Sequence, residues 1–296
     1  MEKRYIVTIG VFDGVHLGHK VILQEVRKRA KVRKILSAVI TFWPPPSKIL
    51  NKNFLGWITD REDKKKLIQS LGIDYIWVLR VNQDFLKTKA EDFMRRIVRR
   101  IKIEELIVGE DFKFGYRGLG NIEKLKQFCL QFRFKLRVFK KKMIKGEVVS
   151  SSYIRRLIKK AEFKKAERLL GREYCLKGRV VKGRGVGKRL GYPTLNIDTN
   201  DFVLPPRGVY ALKVFLNKRW FLGAANIGIC PTFFNSKRSL SLEIYILNFD
   251  EEITDKKVKV IFLQRIRGER KFPSIEKLQE AIRRDIQYVS ANFSLN

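Results

Sequence analysis

Residues 5–19 read Tyr-Ile-Val-Thr-Ile-Gly-Val-Phe-Asp-Gly-Val-His-Leu-Gly-His. Tyr5–Gly10 is a short β-branched run, which is a strand signal. It passes through two glycines into a segment whose apolar residues Leu17, Val21, Val26 and Ala30 recur roughly at helical spacing. A strand feeding a helix at its carboxyl end is the opening unit of a parallel α/β sheet. The alternation continues downstream. Ile35–Phe42 is an almost fully apolar strand, as suits a sheet buried on both faces. A helix over Asp60–Leu71, a strand at Tyr75–Leu79 and a helix over Ala90–Ile101 follow. The strand Glu105–Val108, the helix Ile122–Cys129 and the strand Lys135–Phe139 complete the series. The rhythm predicts an α/β, doubly wound parallel sheet, whose ligands bind outside the carboxyl ends of the strands.

Two amphipathic segments come next. Ile154, Leu157 and Ile158 mark the first; Phe163, Ala166, Leu169 and Leu170 mark the second. Gly171 is a helix terminator. Beyond it the pattern changes to short strands, Tyr174–Val181, Val209–Leu216, Arg219–Ala225, Leu240–Asn248 and Lys257–Phe262, broken by Gly, Pro and Asn turns. That spacing predicts an antiparallel sheet or small barrel. A helix opening near Ser274 carries the stripe Ile275, Leu278, Ile282, Ile286 and Val289. The domain boundary is placed at residue 172, giving domains 1–172 and 173–296.

The 296 residues include 64 Lys and Arg against 30 Asp and Glu, a formal charge of +34. Residues 151–200 are the most basic stretch. Such a field attracts polyanions, nucleic acid or nucleotide phosphates, although solvated basic helix faces also account for it. With 45% hydrophobic and 11% aromatic residues, a disordered basic tail is excluded. No apolar run reaches the roughly 18 residues of a membrane span. Cys129, Cys175 and Cys230 are distant from one another and odd in number, which argues against a disulfide framework and for the cytoplasm.

His16 and His19 are the two histidines of the chain. Two imidazoles at a helix start, beside free backbone N–H groups and the positive dipole end, make a phosphate site. Gly18 between them lets a ligand approach closely. Read blandly, one histidine caps and the other packs. A zinc site is excluded for want of further Cys or His ligands. Ser150, Ser151 and Ser152 precede a helix with Arg155 one turn inside it, a second anion clasp that serves equally as a helix cap.

These residues resemble the bacterial bifunctional riboflavin kinase/FMN adenylyltransferase (FAD synthetase) family. The resemblance spans the chain and is carried by Val7–His19, Val108–Asn121, Val149–Arg155, Gly187–Asn196, Gly208–Tyr210, Ala225–Phe233, Leu242–Phe249 and Arg267–Phe272. It implies a nucleotidyltransferase domain followed by a mainly antiparallel β-barrel kinase domain with a C-terminal helix. The activities implied are phosphorylation of riboflavin to FMN and adenylylation of FMN to FAD, with ATP as co-substrate and Mg²⁺ as cofactor. His16 and His19 would then bind ATP phosphates and steady the transition state, within a motif that also includes Gly10, Phe12, Asp13 and Gly18. Ser150, Ser151, Ser152 and Arg155 match the second phosphate motif, and Asp111 and Phe112 the segment near nucleotide and flavin. In the second domain Gly191-Tyr-Pro193-Thr194-Leu-Asn196 matches the kinase motif, with Thr194 and Asn196 at Mg²⁺ and phosphate oxygens. The loop Gly183-Arg-Gly185-Val-Gly187 would cover the nucleotide, and Glu243 matches the general base.

Three positions depart from the family pattern. Pro45 stands where Pro-His-Pro carries His, Leu195 replaces Ala, and Thr254-Asp255 replaces Tyr-Gly. Proline cannot donate a hydrogen bond, so any contact of that His to phosphate is lost. The alternatives are a riboflavin kinase with a silent transferase half and a basic nucleic-acid-binding protein. The expected partners are small molecules, with no specific nucleic acid and no membrane. The oligomeric state is left open.

Overall fold

The computed structural model describes residues 3–50, 54–183, 185–199, 201–230, 239–251 and 253–295. The end of the Ala225–Phe233 segment and Arg184 of the glycine loop lie outside the described residues. Two compact units are found: residues 1–55 with 59–153, and residues 56–58 with 154–296. Among the described residues no helix is long and apolar enough to cross a membrane.

The first unit is built on strands β1 (Arg4–Ile9), β2 (Leu36–Trp43), β3 (Tyr75–Arg80), β4 (Lys102–Gly109) and β5 (Lys135–Phe139). They pair in parallel in the order β3-β2-β1-β4-β5. Helices α1 (Leu17–Val32), α2 (Pro46–Ile49), α3 (Arg61–Gln69), α4 (Gln83–Lys87), α5 (Ala90–Arg100) and α6 (Ile122–Phe132) connect them. Strand alternation serves two cores. Val7, Ile40, Leu106 and Val108 pack with Phe93, Met94 and Ile97 of α5 and Leu125 of α6. Ile6, Val39 and Ile107 pack with Leu23, Val26 and Ala30 of α1. The expected stripe of α1 is therefore displaced: Leu17 and Val21 are half-buried. The first turn of α1 faces the open end of the sheet rather than its core.

A short hairpin, β6 (Met143–Ile144) and β7 (Glu147–Val148), leads to α7 (Ser151–Lys159) and α8 (Phe163–Leu170). Gly171 ends α8 in the left-handed conformation, as expected. Strands β8 (Cys175–Val181), β9 (Leu195–Asp198), β10 (Gly208–Leu216), β11 (Arg219–Cys230), β12 (Ser239–Ile246) and β13 (Lys257–Arg267) close a barrel in the order β10-β11-β12-β9-β8-β13. Every neighbouring pair is antiparallel. A short helix, α9 (Val186–Arg189), precedes β9, and α10 (Ile275–Asn292) closes the chain with Ser274 as its cap. Strand β9 is missing from the strand series expected from sequence, because Pro193 and Thr194 mask its start.

The buried line of α10 is Ala281, Asp285 and Val289, whereas Ile275 is exposed. The carboxylate interrupts the apolar pattern because Asp285 receives Arg267 of β13 at 3.1, 3.1 and 2.7 Å. Asp285→Ala leaves that guanidinium without its partner in a partly buried site. Urea denaturation should show a loss of about 3 kcal/mol from the barrel unit. An unchanged midpoint would mean that apolar packing alone holds α10.

Candidate active sites

The sheet order reverses direction between β1 and β4, and the first site opens there, at the carboxyl ends of the strands. Leaving β1, the chain places Phe12 at φ 50° and Val15 at φ 38°, both in the left-handed region. Bulky side chains avoid that region, at a cost of order 1–3 kcal/mol each. Burial and hydrogen bonds hold them. Phe12 and Val15 are 4% and 0% exposed. Asp13 Oδ1 accepts Thr59 N–H at 3.1 Å and its hydroxyl at 3.3 Å, while Gly14 N–H donates to Thr59 Oγ1 at 3.0 Å. Ser151 Oγ donates to the Asp13 carbonyl at 2.8 Å.

The turn delivers His16 as the N-cap of α1, its Nδ1 accepting His19 N–H at 3.2 Å. The first turn of α1 carries no acidic residue, so its positive end is uncompensated. The two imidazoles stack, with centroids 3.6 Å apart, and Phe12 meets His19 edge-on at 5.2 Å. His16 is buried at 4% exposure, and His19 is the histidine that lines the cleft. A Cβ on Gly18 would lie 3.2 Å from the His16 ring and 3.3 Å from the Val149 carbonyl, so glycine preserves this packing.

The cleft holds about 1290 Å³, more than the roughly 300–1,000 Å³ of a site for one small molecule. Its lining includes the polar groups of Asp13, His19 and Ser151. It also includes aromatic rings: Phe112 stacks on Phe114 at 5.4 Å, and Phe85 and Tyr116 join them in the lining. Asp111 also lines the cleft and pairs with Lys141 at 3.2 Å. The serine run divides. Ser150 Oγ accepts Tyr153 N–H at 3.2 Å as a cap, Ser151 reaches the cleft, and Ser152 is exposed. Arg155 Nε donates to the Gly56 carbonyl at 2.7 Å. Pro45 caps α2 without a side-chain hydrogen bond.

Three contributors escaped the sequence reading. Thr8, at the cleft floor, has a buried hydroxyl that makes no hydrogen bond among the described residues. Thr59 sits just before α3. Lys64, in the first turn of α3, is 3% exposed and donates to the Val11 carbonyl, Thr41 Oγ1 and the Phe42 carbonyl at 3.1, 3.2 and 2.9 Å. It ties the ends of β1 and β2 together below the cleft. Nothing distinguishes it from Lys65 and Lys66 in sequence; helix phase alone turns it inward.

In the second unit, register assembles the site. Glu243 on β12 lies opposite Asn196 on β9 and Asn226 on β11. Directly opposed residues of antiparallel strands share a face, so a carboxylate stands between two carboxamides. Thr194 immediately precedes β9, and a Cβ on Gly187 would lie 2.8 Å from its Oγ1, so the residue sits under the end of the glycine loop. Flanking Leu242 and Ile244 are buried on the other face. A Cβ on Gly183 would meet Asn196 Nδ2 at 1.9 Å, so the glycine loop runs directly over that carboxamide. Gly187 accepts Tyr192 N–H through its carbonyl at 2.8 Å, folding α9 back against Thr194. Gly185 caps α9 in the left-handed region and Pro193 is exposed. Asn226 lay inside a recognised segment but was not singled out; only pairing with Glu243 marks it. No cluster of three His, Cys, Asp or Glu exists among the described residues. Thr194 and Asn196 offer neutral oxygens, which fit a hard cation whose counter-charge comes from phosphates.

A helix start facing a cleft in a parallel sheet, followed by a barrel carrying a carboxylate between carboxamides, defines a nucleotide-dependent transferase with two centres. A family model described as FAD synthetase matches residues 1–153, and one described as riboflavin kinase matches residues 170–293. A bifunctional riboflavin kinase/FMN adenylyltransferase from Buchnera aphidicola (subsp. Schizaphis graminum) is 39% identical over 98% of this chain and 94% of its own. The protein of that description from Bacillus subtilis is 32% identical over 99% and 94%. The chain belongs to the bifunctional riboflavin kinase/FMN adenylyltransferase family. A crystal structure described as a macrolide-efflux protein from Streptococcus pneumoniae matches with TM-score 0.83 and 26% identity, over 99% of this chain and 96% of that one. Its description differs from those of the other relatives, and its architecture is shared.

Lys64 gives the first site a pH signature. Burial pushes its ammonium down to about 8, against the opposing pull of Asp13. The unfolded chain keeps that proton up to about pH 10.4. Between these values the unfolded state binds more protons, so stability rises with pH. Wild type compared with Lys64→Met, by urea denaturation at stepped pH, should gain up to roughly 3 kcal/mol between pH 8 and 10.5. A constant difference would place the Lys64 charge in water.

Proposed function

We propose that the two centres divide one conversion. The barrel transfers the γ-phosphoryl group of ATP to the ribityl 5′-hydroxyl of riboflavin. The sheet domain brings the phosphate of FMN onto the α-phosphorus of ATP and releases pyrophosphate. The observation that carries the second step is the cleft itself, lined by a helix start with His19 and Ser151 and by the stacked Phe112 and Phe114. The polar groups receive phosphates and the aromatic rings a flat ring system.

In the sheet domain, His19 and the α1 N–H groups stabilise charge gathering on the reacting phosphorus and on the departing pyrophosphate. His16 holds His19 in place by stacking and by the cap. In the barrel, Glu243 accepts the proton of the attacking hydroxyl, and the two flanking asparagines orient it. The Gly183–Gly187 loop covers the phosphates. Thr194 and Asn196 would hold Mg²⁺ together with ATP, and the ion would supply charge neutralisation for the transferred group. The absent proton donor at Pro45 is met in this reading by His19 and the helix start. The reaction belongs in the cytoplasm, the compartment suggested by three distant cysteines, odd in number.

Two variants separate the centres. His19→Ala should lower FAD formation by about 10²–10³ and leave FMN formation intact. Glu243→Gln should lower FMN formation by about 10²–10⁴ while supplied FMN is still adenylylated. Chromatography of products from riboflavin, ATP and Mg²⁺ reads both. FMN alone from wild type would leave only the kinase, and no product would leave a nucleic-acid binder.

We also propose that residues 173–296 hold the complete kinase chemistry, with α8 as its cover. Phe163 of α8 stacks on Phe262 at 5.4 Å and meets Tyr210 edge-on at 6.1 Å. Fragment 173–296 should therefore make FMN and never FAD. It should melt well below fragment 154–296, since uncovering each large apolar side chain costs about 2 kcal/mol. Equal melting temperatures would deny α8 that role, and a folded fragment 173–296 without kinase activity would show that upstream residues are required.

A further inference from the structure

The outer face of α5 carries a second concave site, unrelated to the cleft. Arg95, Arg96, Arg99 and Arg100 recur at i, i+1, i+4 and i+5, while Phe93, Met94 and Ile97 occupy the buried side. With Trp77 from edge strand β3 and Asp92 they line a groove of about 540 Å³. None of these residues lines the adenylyl-transfer cleft, which Phe93 reaches from the opposite side of the helix.

The arrangement is costly to the free protein. Arg95 stands over Arg99 and Arg96 over Arg100, and each like-charged pair at i, i+4 destabilises a helix by about 0.2–0.5 kcal/mol. The helix dipole favours cations in the last turn, which accounts for Arg99 and Arg100. Arg95 and Arg96 lie a turn earlier. Other arginines of this unit are gathered by carboxylates: Arg29, Arg33 and Arg137 converge on Glu105. Among the described residues none of the four groove arginines forms an ion pair. Arg100 instead lies 5.0 Å above the Trp77 ring.

We propose that this groove binds single-stranded RNA without sequence preference. Two arginine rungs one helical turn apart present planar, bidentate donors to successive phosphates. The Arg100–Trp77 stack offers a flat surface for an unpaired base, the pairing of charge and aromatic surface used by single-strand binders. A duplex keeps its base faces hidden. An acidic peptide would use the charge and leave the stack idle. A flat lipid surface would not fill a concave groove.

The test is fluorescence anisotropy of a short labelled oligouridylate with the full chain over a salt series. The variant R95Q/R96Q/R99Q/R100Q should reduce the slope of log affinity against log salt by about 3, roughly 0.7 for each lost phosphate contact. W77L should weaken binding about tenfold at fixed salt. Both variants should keep FMN adenylylation, which verifies their fold. The control K28Q/K31Q/K65Q/K66Q removes equal charge from exposed sites and should retain the wild-type slope. Equal losses in the groove and control variants would assign binding to net charge and overturn the proposal. So would an unchanged groove variant, or capture by phosphatidylglycerol vesicles without RNA binding.

Discussion

Asp13 and Thr59 hold a turn that the chain would not keep alone. Phe12 and Val15 stand in backbone conformations that bulky side chains avoid. The two hydrogen bonds from Thr59 to Asp13, and the one from Gly14 to Thr59, lock the turn from a different segment. The consequence is directional. With the turn fixed, α1 starts at the mouth of the cleft, and its positive end, which has no first-turn carboxylate, faces the site where β1 and β4 diverge. Were the turn relaxed, His19 and the first-turn amides would lose their aim, although α1 could still pack through Leu23, Val26 and Ala30. Strain thus sits where the ligand binds, and core burial elsewhere supports it.

Lys64 belongs to that support. A buried ammonium with all three protons donated to protein oxygens costs less than one left unpaired, yet burial still lowers its proton affinity. Its partners are the Val11 and Phe42 carbonyls, which follow β1 and end β2 and so lack ladder partners there. The barrel solves positioning differently. It uses no strained turn at Glu243. Closure of six strands fixes register, and register alone puts Asn196, Glu243 and Asn226 in one row. Rigid pairing replaces side-chain bracing.

The parallel sheet was legible because buried strands write themselves as β-branched runs and because glycines punctuate their ends. His19 was legible because chain order put it at a helix start. His16 was read either as a second phosphate ligand or as a cap, and it caps α1 and stacks on His19; sequence does not reveal which of two neighbouring rings turns inward. Lys64, Asp285 and Glu105 were illegible for a common reason. A charged residue is buried only when its partner arrives from a distant segment, and that partner cannot be inferred from local pattern. Ion pairs likewise reorganised the C-terminal stripe, where Asp285 took a core position that Ile275 was expected to share.

Charge is the remaining thread. Two centres that both handle nucleotide phosphates benefit from a positive field, but binding needs aimed donors rather than total charge. Glu105 shows how the protein spends its few carboxylates. Buried at 2% exposure, it gathers three guanidiniums at the far end of the sheet from the cleft. Arginines on α1, β4's neighbour β5 and the loop after α1 are thereby tied into structure and their field is locally offset. Among the described residues the four arginines on the exposed face of α5 form no ion pair, although Asp92 lines the same groove. They repel one another while α5 remains anchored through Phe93, Met94 and Ile97. A helix so firmly seated on one side can carry an unfavourable charge arrangement on the other, and that freedom separates a charged surface under functional constraint from one that merely keeps the protein in solution.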